Sequence, residues 1–320
     1  MAHRLTLDDI GHLAGVSKST VSRVIGRHPE RYDVDAETRA KVVRAAESLG
    51  WQGFASRKAR PETVVAMMYE ASIGNPGDGI AVPLVEAARA AGLVLTFEPV
   101  TKPVSAWRQR LEHHLCPFAG LVISPVPMDP VALVGLPFPL IVVNQRSSLA
   151  LPHVVPDDLA AGELLGKRLV AFGHRRAWYL SPLFKSHHSV GERAEGLQRA
   201  GLQLEEVDGS DADEVAKRTR LKTPDRPTAI IGYSWFSGVE ALFACLRHGV
   251  AVPQEVSVVS FDDHHVAATS HPPLTVIDLQ HKLVADEAIR LLLAGERAPR
   301  VHRTPVALLA RLSDGPAPIR

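Results

Sequence analysis

Residues 6–25, TLDDIGHLAGVSKSTVSRVI, decide the fold at the start of this chain. An apolar stripe at helical spacing predicts a first amphipathic helix. The residues of this stripe are Leu7, Ile10, Leu13 and Ala14. Thr6 and Asp9 stand at the spacing of a capping box, and Gly15 supplies the backbone freedom that a sharp turn requires. The stretch therefore begins with a short capped helix that ends in a tight turn.

A second short helix follows, with Ser17 placed to cap it. At about 100° per residue, its polar side holds Lys18, Ser19, Ser22 and Arg23. Its opposite side holds Thr20, Val21, Val24 and Ile25. Two helices joined in this way form a helix-turn-helix, which can place its second helix in the major groove of DNA. Lys and Arg side chains there suit guanine edges, although an ordinary helical hairpin with both cations facing water has the same pattern.

The sequence from Asp35 to Gly50 predicts a third helix, with Asp35 as its N-cap and Gly50 as its C-terminal stop. Together the three helices resemble the DNA-binding head of the lactose-repressor/galactose-repressor family. The matching text is T-L-x-D-I-x-x-L-A-G-V-S-x-S-T-V-S-R-V-I, then E-T-R-x-K-V and A-A-E-S-L-G-W. An ordered match of this length is far more specific than a generic helix-turn-helix.

The resemblance assigns roles to side chains of the head. It implies that three of them read bases: Lys18, Ser19 and Arg23. It also implies that five lie near the DNA backbone: Thr6, Ser17, Thr20, Ser22 and Thr38. The loop at residues 27–34 departs from the family pattern, and we interpret it as a solvated insertion.

Charge and composition set broader limits. Residues 1–60 hold 11 Lys and Arg against 7 Asp and Glu, an excess that suits phosphate neutralisation. With 320 residues, 46 % of them hydrophobic, the chain should hold more than one domain. Its two cysteines, Cys116 and Cys245, predict buried thiols in a reducing compartment. Since we find no signal peptide and no apolar run of about 18 residues, we expect a cytoplasmic protein without membrane insertion.

We predict three segments: a DNA-binding domain at residues 1–50, a linker at 51–62 and an effector-binding and dimerisation domain at 63–320. In most relatives the linker carries a proline-asparagine start and a leucine, and forms a minor-groove helix. Here Gly53 stands near the proline position and no leucine is present. We interpret the segment as a flexible basic tether and leave the hinge helix open.

From Val64 to Phe261 short apolar strands alternate with helical segments. This alternation predicts parallel, doubly wound sheets in two lobes with a cleft between them, an α/β fold. The body also resembles the family's effector domain, which is akin to periplasmic sugar-binding proteins. The matching text is DDLAAG (157–162), GHRR (173–176), R-x-x-G (193–196), VSVVSFDD (256–263) and PPLT (272–275).

Ligands of parallel sheets bind beyond the carboxyl ends of the strands. This rule selects Tyr69, Ser124, Asn144, Gln145, Ser234 and Asp262 as effector-binding residues. The resemblance adds Arg193 and supports Asp262, and such a pair can bind vicinal hydroxyls by charge-assisted hydrogen bonds. A strand-end cap or an ion pair is the alternative for Asp262. We expect Arg193→Ala to abolish the effector response without unfolding the protein.

Ser234-Trp235 replaces the Asn-Asp of many relatives. Trp235 offers a platform for a sugar ring, although we favour an ordinary core or interface tryptophan. We expect the histidine pairs at 113–114, 187–188 and 264–265 to be structural or solvated, because adjacent side chains diverge. We find no catalytic or phosphate-binding motif, and expect no metal and no cofactor.

These observations favour a transcriptional regulator that binds a palindromic operator as a homodimer. In this family such regulators are most often repressors. The effector is predicted to be a small molecule, a sugar or sugar derivative, bound between the lobes. Dimer and tetramer both remain open. Two alternatives are a sugar-binding protein of the transport type and a cytosolic carbohydrate enzyme that uses cleft carboxylates such as Asp262.

Overall fold

The computed structural model describes residues 6–25, 34–49, 63–70, 79–100, 118–123, 139–182, 187–221, 223 and 225–319. The chain divides into two compact units with the boundary between Thr63 and Val64. We call the described residues 6–49 the head and those from Val64 onward the body, and describe each by itself. The predicted linker, the insertion from Arg27 to Asp33 and Gly50 lie outside the described residues.

The head consists of three helices: α1 (Leu7–Ala14), α2 (Lys18–Ile25) and α3 (Ala36–Ser48). The predicted capping box of α1 is present, because Thr6 Oγ1 accepts from Asp9 N at 3.3 Å and Asp9 Oδ2 accepts from Thr6 N at 2.6 Å. Gly15 ends the helix in the left-handed conformation, with φ 67°. The predicted caps of the next two helices are also confirmed: Ser17 Oγ accepts from Thr20 N and Asp35 Oδ1 from Thr38 N.

A small apolar core holds the three helices together. Its buried members are Ile10, Val21, Val24, Val42, Ala45 and Ala46. Leu13 of the apolar stripe is not part of this core, since it is 56 % exposed. A two-turn helix between two neighbours buries the centre of its stripe, and Leu13 lies at the edge in the last turn.

The body contains two six-stranded sheets. The first contains β1 (Thr63–Glu70), β2 (Leu93–Val100), β3 (Phe118–Ile123), β4 (Leu140–Val143), β5 (His153–Pro156) and β11 (Val301–Thr304). The second contains β6 (Arg176–Ser181), β7 (Gln203–Asp208), β8 (Ala229–Gly232), β9 (Ser257–Phe261), β10 (Thr275–Asp278) and β12 (Ala307–Leu309). The helices are α4 (Ala81–Ala90), α5 (Asp158–Ala171), α6 (His188–Arg199), α7 (Ala212–Arg220), α8 (Trp235–Arg247), α9 (His265–Thr269) and α10 (His281–Leu293).

The strand orders are β11-β5-β4-β3-β1-β2 and β12-β10-β9-β8-β6-β7. The predicted parallel pairing is confirmed along both sheets, for example between β6 and β8 and between β3 and β4. One edge differs, because β12 pairs antiparallel with β10, with Ile277 opposite Leu308. β12 enters the second sheet directly from β11 of the first sheet, with no helix between the two strands.

Both faces of the second sheet are covered. Along β6, Trp178 and Leu180 join one apolar cluster with α7 and α8, whereas Ala177 and Tyr179 join another with α5 and α6. This alternation is the period of two that a strand imposes on its side chains. It confirms that this lobe is doubly wound. Cys245 is fully buried on α8 and burial raises the pKa of its thiol to about 12, as expected of a small apolar group.

The chain passes between the lobes three times. β5 of the first sheet leads into α5 of the second lobe, and β11 leads into β12. Between these passages, β10 leads into α10, whose Val284 and Ile289 pack with Leu84 and Ile141 of the first lobe. The passages are adjacent in space: Asp157 N donates to Thr304 O at 2.9 Å. Residues far apart in sequence therefore meet where the lobes join.

Candidate DNA-binding surface and effector cleft

The second helix of the head has two distinct sides. Lys18, Ser19, Ser22 and Arg23 are exposed, as is Ser17 at its cap. Val21 and Val24 are buried on the opposite side. Ser17 Oγ also lies 2.8 Å from Ser19 Oγ and 2.9 Å from Thr20 Oγ1, so hydroxyls gather at the start of α2. The structure thus brings the predicted base-reading groups onto one accessible face, with Thr6 and Thr38 at the starts of α1 and α3.

One contact on this face was not predicted. Lys18 Nζ lies 2.7 Å from Asp8 Oδ2, which joins the first turn of α1 to the first residue of α2. The pair borders an open depression of about 400 Å³ between the two helices. The two charges are ten positions apart in the sequence, so periodicity within a single helix gives no sign of their contact.

In the body, Arg193 lies at the centre of a buried network. It projects from α6 and is only 5 % exposed. Its Nε donates to Asp158 Oδ1 at 2.7 Å and its Nη1 donates to the carbonyl of Tyr233 at 2.7 Å. The guanidinium also lies over the rings of Tyr233 and Phe261, at 4.7 and 5.0 Å from their centres. The predicted effector arginine is therefore also part of the protein's own structure.

Two glycines allow this network to form. A Cβ atom at Gly162 of α5 would collide with the carbonyl of Arg193, and one at Gly196 of α6 would collide with the carbonyl of Leu159. The two helices therefore approach as closely as their backbones permit. This approach brings Arg193 within hydrogen-bonding distance of Asp158 at the start of α5.

The charges of this pair follow from its surroundings. Burial alone would raise the pKa of Asp158, but the charge of Arg193 and the proximity of His188, whose Nε2 lies 3.3 Å from Asp158 Oδ2, outweigh it and hold the pKa at about 2. Burial likewise disfavours the charged form of Arg193, yet Asp158 raises its pKa above the usual value. Both groups are therefore fully ionised at neutral pH.

A chain of hydrogen bonds leads from Arg193 to the first lobe. Tyr233 Oη lies 2.7 Å from Ser189 Oγ, which lies 2.7 Å from His187 Nδ1. His187 Nε2 in turn lies 3.0 Å from the carbonyl of Asn144, at the end of β4. Burial, together with the charges of His188 and Arg193, lowers the pKa of His187 to about 4. His187 is therefore neutral, and it joins Asn144 to the arginine network as the expected structural histidine.

Glu192 joins the lobes by ion pairs. Its carboxylate accepts from Arg146 Nη1 at 2.6 Å and from Arg303 at 2.8 and 3.0 Å. Both arginines belong to the first lobe, whereas Glu192 lies on α6 next to Arg193. The same helix therefore carries the predicted effector contact and the contact between lobes.

Asp262 follows β9 with φ 69° and forms an ion pair with His281, the first residue of α10. Asp262 Oδ1 lies 3.0 Å from His281 Nε2, and the two side chains are 17 and 9 % exposed. Burial opposes protonation of His281, but the hydrogen bond to Asp262 outweighs it and raises the pKa. The alternative of an ion pair for Asp262 is thus present in the structure. Asp263 instead pairs with Arg311 at 2.8 Å, so the two aspartates do not form a dyad.

Ser234 and Trp235 lie at the carboxyl end of β8. Ser234 is the N-cap of α8, and its amide donates to Ser237 Oγ at 3.1 Å. The indole of Trp235 stacks on His264 with ring centres 4.1 Å apart and packs on an apolar cluster of the second lobe. One face of the predicted platform is therefore covered by the protein itself.

The remaining predicted cleft residues are Gln145, Tyr69 and Ser124. Gln145 is half-buried next to Asn144. Tyr69 lies in β1, but its side chain is outside the described part of the molecule, as is Ser124. Cys116 and the histidine pair at 113–114 also lie outside it.

One group in the described residues has the composition of a metal site. Ligand atoms of Asp158, His188 and Glu192 all lie within 4.8 Å of one another. Both carboxylates, however, already accept hydrogen bonds from arginines. A divalent cation would have to displace these guanidinium groups, so the cluster fits an ion-pair network better than a metal site.

Comparisons with known proteins agree with this geometry. Residues 6–53 match the family model for bacterial regulatory proteins of the lacI family, and residues 167–314 match the periplasmic binding protein-like domain. Within the described residues, none of the helices has the length and apolar character needed to span a bilayer.

Three curated relatives cover nearly the whole chain. The transcriptional regulator MalR of Streptomyces coelicolor is 30 % identical over 90 % of this chain and 89 % of its own length. The sucrose operon repressor of Escherichia coli is 27 % identical over 96 % of this chain and 99 % of its own. CelR of Thermobifida fusca is 28 % identical over 90 and 91 % of the two chains.

Solved structures show the same fold. A complex of the regulator CelR with cellobiose superimposes with a TM-score of 0.64 at 24 % identity, over 97 % of this chain and 100 % of the other. The lac repressor dimer bound to operator and an anti-inducer gives a TM-score of 0.64 at 23 % identity, over 97 and 99 %. The capped helix-turn-helix, the two parallel lobes and the full-length similarity to MalR lead to one conclusion: this chain belongs to the lacI family of bacterial regulatory proteins.

Proposed function

We propose that this protein is a sequence-specific transcriptional repressor whose affinity for its operator is controlled by a small carbohydrate. The observation that carries the DNA-binding half is the exposed polar face of α2, opposite the buried Val21 and Val24. In this role Lys18, Ser19 and Arg23 contact base edges. The hydroxyls of Thr6, Ser17, Thr20, Ser22 and Thr38 lie near phosphates, to which they can donate hydrogen bonds.

The effector half is supported by polar groups at the carboxyl ends of strands in both lobes. Asn144 comes from the first lobe, and Asp262 and Ser234 come from the second. One relative is the sucrose operon repressor of Escherichia coli, and a structural neighbour is a complex of the regulator CelR with cellobiose. A polyhydroxyl ligand suits this mixture of carboxylate, guanidinium and amide groups.

Effector control follows if the ligand changes how the lobes meet. Arg193, Glu192 and His187 lie within seven residues of one another, and the latter two contact the first lobe. A ligand that binds next to Arg193 can therefore favour one arrangement of these contacts. Coupling requires that it bind the two arrangements with different affinities, typically by about 1–3 kcal/mol.

A symmetric dimer fits both halves of the proposal, because a palindromic operator presents two equal half-sites. Phe236, Phe243 and Leu246 lie on one side of α8 and are 60, 50 and 73 % exposed. We expect this apolar side to contact a second copy of the chain. Phe243→Lys should raise the fraction of monomer in sedimentation analysis, whereas Leu312→Lys on another exposed surface should not. Equal behaviour of the two variants would exclude this face.

The described cleft aspartates favour binding over catalysis, because Asp158 is committed to Arg193 and Asp262 to His281. We therefore propose a non-enzymatic protein that acts in the cytoplasm. Selection of random duplex DNA by the purified chain, repeated with a panel of sugars, tests the whole proposal. We expect one enriched palindrome whose affinity changes with one class of sugar. A chain that enriches no sequence is not such a regulator, and turnover of a sugar would support the enzyme alternative.

A further inference from the structure

The two acidic residues in the first turn of α1 have different partners. Asp9 closes the capping box with Thr6. Asp8 instead reaches across the turn to Lys18, with 2.7 Å between Oδ2 and Nζ. Both side chains of this pair are more than half exposed, at 53 and 60 %. The pair therefore contributes little to packing and lies where another molecule can reach it.

Its position in the helix-turn-helix gives this pair a consequence for DNA binding. In this motif the first helix crosses the DNA backbone, and the N-terminal residues of the second contact base edges. Asp8 thus lies on the helix that approaches phosphates, and Lys18 is the first residue of the helix that enters the groove. Contact between Lys18 and a base edge in the groove therefore competes with its contact with Asp8.

Whether this exchange is favourable depends on the group of the DNA that Lys18 contacts. An exposed ion pair is worth at most about a fivefold change in an equilibrium constant. A lysine contact to the O6 and N7 acceptors of guanine is worth about 5- to 150-fold against a wrong base. The exchange is therefore favourable at guanine, although the loss of the ion pair offsets part of each contact that Lys18 makes with DNA. The carboxylate also opposes a chance contact between Lys18 and a phosphate.

We propose that Asp8 restrains Lys18 and so lowers the affinity of the head for DNA: it holds Lys18 away from phosphates and gives it up to guanine at one position of each half-site. This inference rests on the proposed function, namely that α2 reads DNA. It assigns to Asp8 an unfavourable contribution to each complex in which Lys18 contacts DNA, whereas Lys18 supplies the attraction to guanine.

The test compares Asp8→Asn with a matched control in the full-length chain. Glu37→Gln removes the same charge from an exposed carboxylate of the head, which pairs with Lys41 on α3 at 2.8 Å. Selection from a random duplex library gives the base preference at each position. Titration with the selected operator and with one non-cognate duplex at several salt concentrations gives the two affinities and their salt slopes.

We expect Asp8→Asn to raise the affinity for the selected operator by up to about fivefold, because Lys18 no longer gives up an ion pair, and to keep guanine preferred at the position that Lys18 contacts in each half-site. Its affinity for the non-cognate duplex should rise, with a salt slope steeper by about 0.9, the value for one additional phosphate contact. Glu37→Gln should leave both affinities nearly unchanged. Lys18→Met should lose the preference at the same position, and adding Asp8→Asn to it should not raise the affinity.

Several outcomes would overturn the inference. If Asp8→Asn and Glu37→Gln act alike, only the net charge of the head matters. If Asp8→Asn changes a position that Lys18→Met leaves intact, Asp8 acts through another group. Asp8→Glu keeps the charge and should keep both affinities, which separates the role of the carboxylate from any loss of folding seen by circular dichroism. A wild-type chain that selects no sequence would instead defeat the proposed function, and this inference with it.

Discussion

The head and the effector cleft carry their polar groups in opposite ways. On α2 the groups proposed to contact DNA are exposed and close together in sequence, and their local backbone contacts are caps. In the cleft, Arg193 and Asp158 are buried, and their partners come from distant parts of the chain. A change in the head should therefore alter DNA recognition at little cost in stability, whereas a change in the cleft should alter both effector recognition and stability.

The largest expected effect is that of Arg193→Ala on stability. This change leaves the carboxylate of Asp158 buried without its main partner, which costs about 3–5 kcal/mol of the free energy of unfolding. Urea unfolding of the body should report the loss. Arg199→Ala on the same helix removes an exposed pair with Glu195 and should have a small effect.

This result would also correct an expectation from the sequence alone, in which Arg193→Ala removes the effector response and leaves the fold intact. The buried ion pair changes that expectation, because the arginine holds the lobe together before any effector binds. A stable Arg193→Ala variant that lacks only the effector response would support the expectation from the sequence. It would also show that the cleft, like the head, can be changed at little cost in stability.

Gly196→Ala tests the same network without touching a charge. The added methyl group collides with the carbonyl of Leu159 across the contact between α5 and α6. Overpacking of this kind costs about 1–3 kcal/mol of the free energy of unfolding. Gly191→Ala is a matched control on the same helix, because its methyl group would meet no atom within 4 Å. It should be neutral or slightly stabilising, so equal losses would argue against the close helix contact.

In the head, Arg23→Ala should leave the free energy of unfolding nearly unchanged, since this residue is exposed. The affinity for the selected operator should fall relative to that for random DNA by about 1–3 kcal/mol, the value of one base-specific contact. Titrations with the two duplexes at one salt concentration measure this difference. Lys41→Ala should weaken both complexes alike. An unchanged ratio for Arg23→Ala would remove this residue from base reading.

The smallest expected effect is a pH dependence at the passage between β10 and α10. The folded pKa of His281 is raised by Asp262, with Asp278 adding to the effect and Arg193 opposing it. Its stabilising contribution is therefore complete below the unfolded value of 6.5 and is lost as the pH rises through the folded value.

Comparison of wild type with His281→Gln by urea unfolding at several pH values checks this expectation. The difference in the free energy of unfolding should shrink as the pH rises above 6.5. His187→Gln should show the opposite dependence, because burial lowers the pKa of His187 to about 4 and its protonation on acidification destabilises the wild-type fold. A difference that is independent of pH in both variants would mean that neither histidine changes its charge environment on folding.

Much of the fold could be read from local patterns. Caps, the glycine turn and the two sides of α2 depend on neighbouring residues, and apolar runs such as Leu140–Val143 mark buried strands. The strands β5, β10, β11 and β12 and the helices α7, α9 and α10 were not predicted. β11, with sequence VHRT, shows why: it is a partly exposed edge strand without an apolar run.

The cleft was predicted less completely for a related reason. The rule that ligands bind at the ends of parallel strands selects Asn144 and Asp262, but it does not show what else occupies those positions. His281 reaches Asp262 because α10 begins at a passage between the lobes, and Glu192 reaches Arg146 and Arg303 across the same junction. No spacing in the sequence reports these contacts.

The sequence by itself determined that the chain starts with a capped helix-turn-helix, that its body alternates strands and helices, and that it belongs to this family. These features rest on interactions between residues a few positions apart, which periodicity records. Only the tertiary structure decided that Lys18 is held by Asp8, that Arg193 is buried against Asp158 and that Asp262 is paired with His281. Such pairs form when separate helices and strands pack together, and the geometry of packing is a property of the whole chain.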